Sequence, residues 1–222
     1  MKERYFTPET IEAKARAMRQ AAMGKRSGER FRFVPERSAL LVLDMQAYFL
    51  EDASHAHVPS ANTILARLGQ LAKAYAARGL PIIYTRHVNT EENAGLMSQW
   101  WRELIRDEDP LSKITAELDL SQGVVLEKSQ YDAFYRTDLE ERLRHWGVEQ
   151  VLIGGVMTHL CCETTARAAF GRGFEVLFLV DGTATYSEAF HQASLLNLAH
   201  GFAELKLVPE ILEGLAKVPA DD

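Results

Sequence analysis

Two cysteines make up the whole thiol complement of this 222-residue chain, and they stand side by side at 161 and 162. Neighbouring Cα atoms lie about 3.8 Å apart across a trans peptide, below the usual disulfide range. A disulfide-stapled secreted fold is therefore not expected, and a reducing, cytoplasmic setting is. CxxC pairs and HExxH are also lacking, so no zinc site of those types is expected, and no other metal or cofactor. No apolar run reaches the roughly 18 residues of a membrane span. The opening segment, MKERYFTPETIEAKARAMRQ, has no apolar core and does not read as a secretory signal. An excess of positive charge is missing too: 25 Lys and Arg against 31 Asp and Glu give a net charge of −6. That balance argues against nucleic acid or an anionic membrane as a partner and leaves a small molecule as the expected one.

What is present is an alternation. Hydrophobic residues are 47% and charged residues 25%, ordinary for a globular chain. Residues 1–36 read as a helical arm whose helix covers 8–24, and residues 37–222 as one domain. In that domain the apolar runs SALLVLDM (38–45), LPIIYTRHV (80–88), GVVLEK (123–128), EQVLIGGV (149–156), FEVLFLVDG (174–182) and AELKLV (203–208) read as strands, the first of them buried on both faces. Between them, 60–79, 137–147, 159–172 and 187–200 carry helical spacing, with a short helix around SQWWRELI. Strand and helix in alternation mean right-handed crossovers and a mainly parallel sheet with helices on both sides.

Ligands in such sheets bind beyond the carboxyl ends of the strands. Asp44 stands at the end of the first strand, Lys128 at the end of the third, and Thr158, His159 and Cys161 just past the fourth. A carboxylate there needs a partner, or its pKa rises. The two cysteines separate by helical spacing. Cys162 shares a stripe with Ala166 and Ala169 and reads as a small core residue, whereas Cys161 sits in the first turn near free backbone N–H groups. That setting predicts a thiol pKa below the free value of about 8.5. Gln46, Phe49, Trp100, Tyr131, Phe134 and His159 are the expected pocket residues, with walls drawn from 46–59, 88–113, 129–137 and 183–190. Trp100 and Trp101 cannot both point inward from one helical turn. His55, His57 and His87 are spaced too loosely to suggest a metal site.

The segments SALLVLDMQAYFL, EKSQYDAFYRTDLEERLRHWGVEQVLIGGVMTHLCCETTARAAF and LVDGTAT, in that order, resemble the isochorismatase-like cysteine hydrolase superfamily over roughly residues 31–208. The resemblance implies a three-layer α/β/α sandwich around a six-stranded, mainly parallel sheet, and a homo-oligomer, dimer or tetramer. It implies a catalytic triad of Asp44, Lys128 and the nucleophile Cys161. It also implies a cis peptide between Val156 and Met157, helping Cys161 to present N–H groups to an oxyanion. The segments around Asp44 and Lys128 look most like true isochorismatases, which cleave a vinyl ether and carry a small residue where Cys161 stands. The cysteine at 161 is that of the amidase branches.

Three functions are thereby weighed. In the first, Asp44 takes the Cys161 proton, the thiolate attacks the carbonyl of a small amide, ureide or carbamoyl compound, and water releases the acyl-enzyme. In the second, Asp44 is the acid of vinyl-ether hydrolysis and Cys161 a bystander. The third is a catalytically silent binding module. For the first, repulsion from the thiolate predicts an Asp44 pKa above its ordinary value, with one proton shared between Asp44 and Cys161.

Overall fold

The computed structural model describes residues 2–24 and 28–217; residues 1, 25–27 and 218–222 lie outside it. The six apolar runs all form strands: β1 (Ser38–Leu43), β2 (Ile82–His87), β3 (Val124–Lys128), β4 (Gln150–Val156), β5 (Glu175–Ala184) and β6 (Glu204–Lys206). They make one sheet in the order β3-β2-β1-β4-β5-β6, and every neighbouring pair is parallel. β1 and β4 are buried at every residue, as expected of central strands covered on both faces.

The helices are α1 (Ile11–Met23), α2 (Ala47–Leu50), α3 (Ala61–Ala76), α4 (Met97–Trp100), α5 (Leu139–His145), α6 (Glu163–Gly171), α7 (Glu188–Gly201) and α8 (Val208–Lys217). α3 lies on β1, β2, β4 and β5 and against α8, while α6 and α7 pack together, α6 on β5 and α7 on β6. The result is a three-layer α/β/α sandwich. No described helix is long and apolar enough to cross a membrane. The apolar side of α1 packs on α7 and β5, with Ile11, Ala15 and Met18 buried in the same core as the sheet.

Three local departures from the sequence reading matter. α1 starts at Ile11, one turn after Pro8, because residues 7–10 form a separate turn closed by Thr10 N–H on the Thr7 carbonyl. α5 is shorter than 137–147 because Thr137 Oγ accepts from Leu139 N–H while donating to the Ala133 carbonyl. The segment after β4 is not α-helical at its start: Thr158–Cys162 forms one π-turn, with Cys162 N–H on the Met157 carbonyl at 3.3 Å. Such wide turns concentrate at functional sites.

The strand order reverses direction between β1 and β4, so the crevice at their carboxyl ends is the binding position of the fold. Gly155 lets the two strands come together there. Its φ is +115°, and a Cβ would fall 2.0 Å from the Leu43 carbonyl oxygen. Only glycine fits that position.

Candidate active site

Asp44 leaves β1 in the left-handed region, at φ +53°, an uncommon conformation for a residue with a side chain. Thr85 on β2 fixes it. The Asp44 N–H donates to the Thr85 hydroxyl at 3.0 Å, and that hydroxyl donates to Asp44 Oδ1 at 2.6 Å. Oδ2 forms an ion pair with Lys128 Nζ at 2.8 Å, both side chains being wholly buried.

Lys128, the last residue of β3, reaches across the carboxyl edge of β2. Its ammonium donates to the Gln130 carbonyl at 2.9 Å and to Cys161 Sγ at 3.4 Å, and lies 3.3 Å from His87 Nδ1. His87 Nε2 pairs with Asn89 Oδ1 at 2.9 Å. The amide oxygen can only accept, so the proton is on Nε2 and Nδ1 accepts from Lys128. Gln46 clamps the His87 backbone, accepting from its N–H at 2.8 Å and donating to its carbonyl at 3.0 Å.

Burial opposes charge on every member of this cluster, and mutual contacts decide which charges survive. The Asp44 carboxyl is pushed up by burial but brought below its ordinary value by Lys128, His87 and the Cys161 hydrogen bond. The Lys128 ammonium is destabilised by burial and then raised above its ordinary value by Asp44 and Cys161. The Cys161 thiol is pushed up to about 12, by burial first, with Lys128 pulling down and Asp44 pushing up. His87 is pushed down to about 4 by burial and by Lys128. The resting site therefore holds a carboxylate, an ammonium, a neutral imidazole and a neutral thiol. This corrects two sequence expectations: the thiol is raised rather than lowered, and Asp44 is lowered rather than raised. Near-complete burial beside a carboxylate outweighs the first-turn position of Cys161.

Asp44, His87 and Cys161 are the only cluster of potential metal ligands among the described residues, their atoms within 4.8 Å of one another. The Lys128 ammonium touches all three. A divalent ion there would meet a buried positive charge at contact distance, so the donor set does not fit a metal. His55 pairs instead with Glu103 at 2.6 Å and His57 with Asp52 at 3.2 Å.

Cys161 opens onto a cavity of about 140 Å³ whose wall is mostly apolar. All four expected loop segments contribute, through Phe49, Trp101, Tyr131 and Tyr186 among others, and Met157 joins them. The Val156–Met157 peptide is cis. Four of the residues expected in the pocket lie elsewhere. Trp100 is 78% exposed; Trp101 takes the wall position, its indole N–H donating to Tyr131 Oη at 2.7 Å. Gln46 is completely buried beneath the site. Phe134 stacks on Phe174 in the core. His159 stacks flat on Phe190 and contacts Thr185 Oγ at 2.6 Å. His87 and Tyr186 line the cavity but were not among the expected pocket residues. His87 ends β2, so the strand-end criterion that selected Asp44 and Lys128 would have found it too.

The isochorismatase domain model matches residues 38–208, most of the chain. The chain belongs to the isochorismatase family. It is a hydrolase of that family, 41% identical to Nicotinamidase 3 of Arabidopsis thaliana over 76% of this chain and 83% of that protein. It is 31% identical to the Isochorismatase of Bacillus subtilis over 84% of this chain, a match that spans 61% of that relative, less than two thirds of its length. Among solved structures, a cysteine hydrolase from Pseudomonas syringae pv. phaseolicola is similar with a TM-score of 0.81 and 28% identity, over 86% of this chain and 98% of the other.

Cys162 faces away from the cavity and is fully buried in the core with Ala166 and Ala169. Cys162→Ala is expected to keep full turnover and to lose roughly 1 kcal/mol of stability. Steady-state kinetics and urea melts check both; loss of turnover in the folded variant would make Cys162 the functional thiol.

Proposed function

We propose that this chain hydrolyses a C–N bond in a small amide, ureide or carbamoyl compound through a thioester on Cys161. The observation that carries the reading is a buried thiol 3.4 Å from an ammonium that is itself paired with the Asp44 carboxylate, on the wall of a small cavity. Asp44 takes the proton from Cys161 as Sγ attacks the carbonyl carbon. Lys128 stabilises the thiolate as it forms. The N–H groups of Met157 and Cys161 hold the oxyanion, with the Val156–Met157 peptide orienting them. The tetrahedral adduct collapses, the C–N bond breaks, and Asp44 returns its proton to the leaving nitrogen. Water then attacks the thioester, giving a proton to Asp44, which passes it back to the sulfur as the acid leaves. Lys128, in contact with both Sγ and the Asp44 carboxylate, offsets the charge that appears on sulfur as the proton leaves.

Likeness to Nicotinamidase 3, by name an amide hydrolase, supports this reading. Likeness to the Isochorismatase of Bacillus subtilis supports a second, vinyl-ether hydrolysis with Asp44 as acid. A carboxyl held below its ordinary pKa is ionised at neutral pH and lacks the proton that an acid must give, which favours the first. A screen of small amides, ureides, carbamoyl compounds and isochorismate separates them. Ammonia or amine release is expected; pyruvate release that survives Cys161→Gly would overturn the proposal.

The same reading includes a homo-oligomer, dimer or tetramer, supported by Leu96 and Trp100, 76% and 78% exposed on and beside α4. It also includes a cytoplasmic setting, supported by two free, buried thiols.

A further inference from the structure

Residues 2–7 precede the matched family domain, yet they touch the cavity wall. Glu3 N–H donates to the Tyr186 carbonyl at 2.7 Å. The Lys2 ammonium sits 4.6 Å from the centre of the Tyr186 ring and donates to the His55 carbonyl. Tyr186 and His55 both line the cavity. One short segment thus grips two wall residues that come from distant loops.

Tyr5 extends the grip to the nucleophile turn. Its buried hydroxyl accepts from Thr185 N–H at 2.9 Å and pairs with His191 Nδ1 at 2.9 Å. His191 is fully buried, so this contact is shielded from solvent. Nδ1 also lies 3.4 Å from the hydroxyl of Thr158, the first residue of the π-turn that carries Cys161. Thr185 in turn contacts His159 of that turn. Phe6 anchors the whole segment: it is fully buried, its N–H donates to Ser60 Oγ at 3.0 Å, and its carbonyl accepts from Thr63 Oγ at 3.1 Å. Lys2, Glu3, Tyr5 and Phe6 are each tied down, and the ties of Lys2 and Glu3 fall on the wall of the site.

We propose that residues 2–7 form part of the active-site wall, with the Tyr5 hydroxyl and the Glu3 amide as positioning groups that fix Tyr186 and so limit the size of the group the cavity admits. The inference concerns the shape of the cavity and goes beyond the proposed reaction. Its test reads the thiol directly, so it holds whichever bond the enzyme cleaves.

The test uses the full chain carrying Cys162→Ala, in which Cys161 is the sole thiol. Its alkylation rates by iodoacetamide and by the bulkier N-(1-naphthyl)iodoacetamide are compared. The ratio of the two rates within one protein cancels the thiolate fraction and reports access alone. Two further changes are made separately: Tyr5→Phe, which removes one oxygen and keeps the ring, and deletion of residues 2–4. In each, the bulky-to-small ratio is expected to rise about fivefold, the factor carried by one neutral hydrogen bond. A ratio within about twofold of the parent in Tyr5→Phe, whether or not its melting temperature falls, would reduce the segment to a structural tether and overturn the proposal. If the deletion variant fails to fold, Tyr5→Phe alone decides.

Discussion

Cys161→Ala is expected to lower amide hydrolysis on the order of 10³-fold or more, with little change in KM, because the covalent route disappears while the cavity keeps its walls. The substitution removes one sulfur from a residue that is 6% exposed. It also removes the acceptor that Lys128 reaches at 3.4 Å, leaving the ammonium bonded to Asp44, Gln130 and His87. Stability should therefore change modestly, and any large loss of turnover is chemical. Single-turnover kinetics on the best amide from the screen provide the check. Turnover within tenfold of the parent would exclude a thiol nucleophile and return Asp44 to the role of acid, since loss of a nucleophile that acts within a unit costs far more than that.

Lys128→Met is expected to act on both turnover and folding. Without the ammonium, Asp44 is a buried carboxyl with no cation, and its pKa must rise above the unfolded value instead of lying below it. The base is then protonated near neutral pH, and a loss of about 10²–10⁴-fold in kcat follows. Breaking a buried ion pair by removing one partner costs about 3–5 kcal/mol. The sign with pH is fixed by linkage. In the parent, the lowered Asp44 pKa contributes stability that is fully present above the unfolded value of about 3.9 and is lost as pH falls through the folded pKa. In the variant, the raised pKa makes the carboxyl a liability that grows as pH climbs above about 3.9. The deficit in urea melts should thus be larger at pH 7 than at pH 4, and equal deficits at the two pH values would show that the pair contributes packing and no charge interaction.

How much of this was legible in the sequence divides along physical lines. Continuous apolar runs such as SALLVL and QVLIGGV can hardly be anything but strands covered on both faces, and strand ends in a parallel sheet are where ligands sit. Asp44 and Lys128 could therefore be placed, and helical spacing set Cys161 apart from Cys162. Charge states were read wrongly because they depend on burial and on three-dimensional neighbours. The 0% exposure of both members of the Asp44–Lys128 pair cannot be seen in a linear string. The pocket wall was legible only to the level of the loop. Whether Trp100 or Trp101 turns inward depends on how α4 ends, and the indole of Trp101 is drawn in by a hydroxyl thirty residues away, on Tyr131. The arm was legible as a helix with an apolar stripe, but nothing local announces that Tyr5 caps the end of β5. That contact joins positions 5 and 185, and only the completed fold brings them together.

The thioester route places a covalent acyl group on Cys161. The most direct measurement mixes the enzyme with an excess of the best amide substrate, quenches in acid within the first turnovers, and reads the intact and peptide masses. An adduct equal to the acyl portion of the substrate is expected, confined to the peptide bearing Cys161 and Cys162, retained in Cys162→Ala, lost in Cys161→Ala, and removed by hydroxylamine as a thioester is. Full turnover of that amide with no adduct under any quench, and unimpaired turnover by Cys161→Ala, would contradict it.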